Sequence, residues 1–249
     1  MAIKVSAEEL LKAGAHYGHQ AKRWNPKMKE YLYGTEDGVH VFDLIKTKAL
    51  LEEALEFISK SVSEGKKVLL LGTKKQIKDK VIKVAKETES PYISERWLGG
   101  TFSNFNQIKR SIKKLIDMKE KKALGEYKKF TKKERLLIQR EIERLGRFFE
   151  GIIDLQKIPE VIFIIDTHKE SSAVKEANMS DVKIIGIVDS NSDPTVVDYP
   201  IPMNDDASKA LDYVLDLVKE AILEGKKEQK TKKEVKKETK KEVDKETKK

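Results

Sequence analysis

The chain has 249 residues, a formal charge of +9 from 51 Lys and Arg against 42 Asp and Glu, and no cysteine. Such a length accommodates one large domain with an appendage, and the missing thiols exclude disulfides, cysteine nucleophiles and cysteine-ligated zinc or iron–sulfur centres. No apolar run approaches the roughly 20 residues that span a bilayer, and MAIKVSAEELLKAG holds no signal-like stretch, so a soluble, cytoplasmic protein without membrane contact is expected.

In chain order, SAEELLKAG predicts a short helix, with Ser6 and Glu9 at capping-box spacing and Gly14 as its stop. HYGHQAKRWNPKMKEYLYG, residues 16–34, follows without a hydrophobic period. It sets Lys22, Arg23, Lys27 and Lys29 among His16, Tyr17, His19, Trp24, Tyr31 and Tyr33, and reads as an irregular basic and aromatic extension. GVHVFDL alternates like a strand, and Leu51, Ala54, Leu55 and Ile58 mark a helical face that ends at Gly65. KKVLLLG has the continuous apolar character of a buried parallel strand, and Ile77, Val81, Val84 and Ala85 share one side of the next helix.

Two helical stripes come next, Phe105, Ile108, Ile112, Leu115 and Met118, then Ile138, Ile142, Leu145, Phe149 and Ile152. With ALGEYKKF between them and a second capping box at Thr131 and Glu134, they predict an antiparallel hairpin, narrow-striped like a coiled coil. Strand and helix patterns resume with EVIFIID, ESSAVKEANM, KIIGIVD, YPIPM and a closing helix, and Pro200 and Pro202 confine YPIPM to a sheet edge. The fold class is therefore α/β: a doubly wound, mostly parallel sheet of flavodoxin- or Rossmann-like type, with an inserted helical hairpin. The expected units are residues 1–104 with 153–225 as the α/β domain, 105–152 as the hairpin, and a Lys/Glu tail, 226–249, whose composition predicts disorder.

Charge is segregated. Residues 105–150 hold 15 cations against 7 acids and residues 226–249 hold 12 against 6, which leaves the remainder net negative. That asymmetry fits appendages that meet an extended polyanion. LLLGTKKQI resembles a phosphate loop but has one glycine where nucleotide fingerprints need several, so Thr73 reads as a helix cap and Lys74 and Lys75 as exposed cations that join the expected RNA-binding set. Asp166, Asp189, Asp193, Asp205 and Asp206, with His168 nearby, should gather at the carboxyl ends of the strands, where they could hold Mg²⁺ or simply cap helices and close turns. No nucleophile motif accompanies them, and glycines 14 and 18 argue against a helical zinc pair of His16 and His19.

Nucleic acid accounts for the rest. Cations neutralise phosphates while rings and guanidinium groups stack on unpaired bases, so a loop that mixes both suits folded RNA. SERWLGGTFSNF repeats the combination, with Arg96 and Trp97 before a Gly99–Gly100 joint, and Lys109, Arg110, Lys113 and Lys114 recur at i,i+4 on the hairpin.

LLKAGAHYGHQAKRWNPKMKEYLYG, VLLLGTKKQ, RWLGGTFSNF, KEANM and GIVDSNSDPTVVDYPIPMNDDA resemble, in order and spacing, the bacterial small-subunit ribosomal protein S-two family, from about Ile3 to Gly225. The resemblance implies a Rossmann-like domain with a coiled-coil hairpin on the solvent side of the small subunit, without catalysis, cofactor or small-molecule substrate. It implies binding to 16S ribosomal RNA between head and body, contact with other small-subunit proteins, and recruitment of the large mRNA-binding ribosomal protein S-one. Lys22, Arg23, Trp24, Asn25, Lys27 and Lys29 match the family's N-terminal basic motif, and Arg96, Trp97, Gly99 and Gly100 its RWLGG motif. The competing readings are an enzyme that uses the Asp166, Asp189, Asp193 and Asp205 cluster, and a free-standing RNA-binding regulator.

Overall fold

A computed structural model describes residues 3–246, with side chains as far as Thr231. Helix α1 (Ala7–Lys12) is capped by Ser6, whose hydroxyl accepts from the Glu9 amide. It ends in a Schellman turn in which Gly14, at φ 80°, donates to Leu11 and Ala15 donates to Leu10.

The basic segment is not irregular, as its missing period had led us to expect. Strands β1 (Tyr17–Gln20), β2 (Leu32–Glu36) and β3 (Val39–Phe42) form an antiparallel sheet in the order β1-β3-β2. Asp37 and Gly38, both at positive φ, make the tight turn between β2 and β3. GVHVFDL therefore supplies β3 to this small sheet and takes no part in the parallel one. Between β1 and β2 the chain runs through two 3₁₀ turns, Ala21–Arg23 and Pro26–Tyr31, the second capped by the Asn25 side chain.

Helix α2 (Leu44–Ser63), capped by Asp43, leads to β4 (Val68–Leu71), α3 (Lys78–Glu87) and β5 (Tyr92–Ile93). Helices α4 (Phe105–Ala123) and α5 (Lys132–Phe149) precede β6 (Val161–Ile164), α6 (Ser171–Met179), β7 (Lys183–Val188), β8 (Tyr199–Pro202) and α7 (Ser208–Glu246). The five strands β4 to β8 are all parallel, in the order β5-β4-β6-β7-β8, which is the flavodoxin-like order, with proline-bearing β8 at an edge. Alternate residues feed two cores: Val68, Leu70, Val161 and Phe163 face α1, α2, α3 and α7, whereas Leu69, Leu71, Ile162 and Ile164 face α4, α5 and α6.

Two boundaries differ from expectation. Ile108, Ile112, Leu115, Ile142, Leu145, Phe149 and Ile152 are buried in the second core together with the sheet, so the stripe does more than zip two helices together. Helix α7 also runs through Gly225 without a break. Where composition predicts a disordered tail from 226, the backbone stays helical to Glu246: α7 is already anchored by Leu211, Val214 and Val218, and Lys and Glu are good helix formers that prolong it. Residues 247–249 of that tail lie outside the described residues.

Candidate nucleic-acid interface

The small sheet rests on the loop after β7. The His19 amide donates to Ser190 Oγ at 2.8 Å, and the Asn25 amide donates to the Ser190 carbonyl at 2.7 Å. Gly18 is required here, since a Cβ would come within 2.9 Å of Ser190 Oγ. Met28 is fully buried beneath the second 3₁₀ turn. The turns therefore have a fixed seat on that loop.

Lys22, Arg23 and Lys29 are exposed, and among the described residues none of them pairs with a carboxylate. Lys27 differs: its ammonium lies 2.7 Å from Asp193 Oδ2 and 3.0 Å from Thr195 Oγ1. Asn25 Oδ1 accepts from the Lys27 amide and so serves as a cap. Trp24 is half-buried, its ring 5.0 Å from the buried imidazole of His40. The rings that do reach solvent are Tyr33, 81% exposed on β2, and Tyr17, 50% exposed. Tyr33 sits where the β2–β3 register shifts between Leu32 and Gly34, an irregularity of the kind that turns a side chain outward.

Two residues expected at an RNA surface are structural. Trp97 is 4% exposed, packs edge-on against Phe102 at 4.9 Å, and donates its indole N–H to Glu176. An amphipathic ring next to Arg96 does not distinguish stacking on a base from filling a core, and here the core takes it. Lys74 is no free cation either. Its ammonium meets Asp205 at 2.7 Å, Asp206 at 2.7 Å and Asp166 at 3.1 Å, and these partners raise its pKa against burial. Thr73 does not cap α3; its hydroxyl donates to Glu170. Lys75 and Arg96 remain exposed.

Of the carboxylates at the strand ends, Asp166, Asp205 and Asp206 thus gather around Lys74, whereas Asp189 meets His19 and Asp193 meets Lys27. Burial, then Asp189 and Asp166, push Asp205 up to about 7 while Lys74 opposes them. Asp189 is fully buried, and its own burial favours protonation. The 2.9 Å contact from His19 and the amides of Asp205 and Ser190 nevertheless hold it below its ordinary value, while His19 is raised in turn. His19, Asp205 and Asp206 each bring a ligand atom within 4.8 Å of the others, yet the Lys74 ammonium already answers both aspartates.

On α4, Lys109 lies 5.1 Å from the centre of the Phe105 ring, and Arg110 and Lys113 are exposed. Lys114 pairs with Glu141 of α5 at 3.1 Å; Arg144 first, and then Lys114, bring that carboxyl down to about 2. Sequence spacing showed only acids on α4 itself, so this cross-helix partner was hidden.

Glu176 on α6 is the residue that motif reading passed over, although it lies inside KEANM. Its Oε1 accepts from the Gly100 amide at 2.7 Å and Trp97 Nε1 at 3.3 Å, and its Oε2 accepts from the amides of Phe102 at 2.9 Å and Ser103 at 3.3 Å. Burial disfavours its charge, but these donors hold the carboxyl below its ordinary pKa.

Residues 10–225 match the family described as Ribosomal protein S2. Among curated proteins, the small ribosomal subunit protein uS2 of Roseiflexus castenholzii is 46% identical over 207 residues, 83% of this chain and 79% of its own. Proteins of the same name from Brucella anthropi (45% identical; 85% of this chain, 82% of theirs) and Chlorobaculum tepidum (43%; 86% of each) are similar over a comparable span.

Proposed function

Because the chain belongs to the ribosomal protein S2 family, we propose that it grips 16S ribosomal RNA through Lys22, Arg23 and Lys29 on the N-terminal turns and through Lys109, Arg110 and Lys113 on the hairpin. Members of this family are structural proteins of the small ribosomal subunit, not enzymes. The supporting observation is that the three N-terminal cations are exposed and, among the described residues, unpaired, on a segment seated by Ser190 and Met28. Such a surface costs little further ordering when it meets phosphate. Lys75 and Arg96 extend the basic surface, and Tyr33, 81% exposed, is the ring best placed to stack on a base. The hairpin's distal half, which leaves the shared core, is the coiled-coil part of the reading.

The family likeness extends the proposal to a cytoplasmic, ribosome-bound protein among other small-subunit proteins that helps to recruit S-one. No helix among the described residues is long and apolar enough to cross a membrane. Replacement of Lys22, Arg23 and Lys29 with Glu should abolish incorporation into the small subunit, followed by co-sedimentation, while the free protein melts as before. Normal incorporation of the triple variant would overturn the reading.

A further inference from the structure

We propose that Glu176 is a positioning residue: its single carboxylate fixes where the hairpin leaves the sheet, and so sets the spacing between the two RNA-contacting surfaces. This rests on the functional reading above.

The joint needs such a device because of its own chemistry. Gly99 is exposed and Gly100 holds φ 91°, and two residues without a Cβ leave the backbone least restricted where α4's direction is decided. Asn104 precedes α4 without a side-chain cap bond, so the helix start lacks the usual local restraint. Restraint comes from 73 to 79 residues away in sequence, as four N–H donors converge on both oxygens of one side chain. A carboxylate that accepts two well-formed amide bonds at 2.7 and 2.9 Å makes the stronger, charge-assisted kind of hydrogen bond.

The same helix reaches the other surface. Two residues on, Asn178 Nδ2 donates to the Val196 carbonyl at 3.0 Å. Val196 ends the turn Pro194–Val196, whose Asp193 cap and Thr195 hold Lys27. The C-terminal turn of α6 is thus bonded both to the hairpin joint and to the loop under the N-terminal cations. A rigid polyanion contacted at two places rewards a fixed separation between them, since each extra freedom in the protein lowers the effective concentration of the second contact.

Glu176→Gln is the discriminating variant. It keeps the volume and one acceptor oxygen, but turns an amide NH₂ toward donors that need an acceptor. The chain has no cysteine, so spin labels at Leu124→Cys on the hairpin and Lys209→Cys on α7, both exposed, report the hairpin's angle in the full-length protein. The expected result is one narrow distance in the parent and a distribution at least twice as broad in E176Q. Exchange at the Gly100 and Phe102 amides should quicken at least tenfold while the Leu70 and Ile162 amides in the sheet stay protected. Affinity for a small-subunit rRNA transcript should fall at least fivefold, with Glu176→Asp, which keeps the charge, between the two.

An unchanged distance distribution in E176Q overturns the proposal. So does a broadened one with unaltered RNA affinity. Should E176Q fail to fold, the parent alone decides: rapid exchange of its Gly100 and Phe102 amides refutes the carboxylate's hold, and slow exchange supports it. The Lys22, Arg23 and Lys29 reversal, measured on the same transcript, separates the two claims, because wild-type affinity there defeats the RNA reading whatever the hairpin does.

Discussion

Lys27 and Lys29 stand two residues apart in one 3₁₀ turn, yet Lys27 leans on Asp193 and Thr195 while Lys29 is exposed without a carboxylate partner among the described residues. An exposed pair such as Lys27–Asp193 is worth about 0.2–1 kcal/mol, so Lys27→Ala should lower stability slightly. Lys29→Ala should leave stability alone and reduce the salt slope of rRNA binding by about one phosphate; equal slopes in the two variants would refute the distinction. At the strand ends the prediction concerns pH. Asp205 is pushed from its ordinary 3.8 to about 7, so it adds stability that is complete below pH 3.8 and lost as pH rises through about 7. His19 is raised above 6.5, so its contribution is complete below that pH and lost as pH passes its higher folded value. Relative to Asp205→Asn, the parent should therefore lose melting temperature as pH rises from about 4 through about 7. At this scale residue type was legible and partnership was not: neither Lys74 nor Trp97 can be told from a free surface residue until Asp205, 131 positions away, or Glu176, 79 positions away, is in place.

The elements were read most accurately where local chemistry is self-sufficient. Ser6, Thr131, Gly14 and Gly65 cap or end helices as their spacing indicates, and the capping box at Thr131 and Glu134 forms in full, so Thr131→Ala should cost about 1 kcal/mol, measured by denaturant unfolding. The small antiparallel sheet was missed although Asp37–Gly38 is a strong hairpin signal, because Gly and Pro among many cations conceal the short runs on either side. Helices α4 and α5 lie where their stripes predict them, but the depth of those stripes was not legible, because a narrow stripe looks the same whether it meets one helix or a helix and a sheet. That depth decides what can be removed. Excision of residues 105–152 would strip Ile108, Leu115, Leu145 and Phe149 from the core that Leu69, Leu71, Ile162 and Ile164 share, so the remnant should aggregate. Replacing only 119–137 with a short Gly/Ser turn keeps Met118 and Ile138, the outermost residues packed on that core, and removes eight cations and three acids. The shorter variant should fold and bind the subunit RNA with a shallower salt dependence, and an unchanged slope would show that the distal charge faces water or protein.

Across the whole molecule, positive charge does two different jobs according to whether other side-chain chemistry accompanies it. The family match ends at residue 225, and residues 232–249 carry nine Lys against five acids, close to half of the chain's net +9. A Lys/Glu repeat without aromatic rings to stack on bases attracts any polyanion and discriminates among none, because counterion release is indifferent to sequence and fold. The seated turns at Lys22, Arg23 and Lys29, by contrast, offer charge in one geometry. Deletion of 232–249 should therefore weaken the free protein's binding to an arbitrary RNA and flatten the salt dependence of that binding, while incorporation into the small subunit proceeds at the parental level. The helix upstream of the cut keeps its own support, since Lys226 pairs with Glu89 at 2.9 Å and Leu215, Val218 and Ile222 are buried against the sheet. Measuring both RNAs side by side gives the decisive ratio. If the deletion lowers incorporation as much as it lowers arbitrary RNA binding, specificity does not reside in the seated surface, and the division of labour between fold and tail fails.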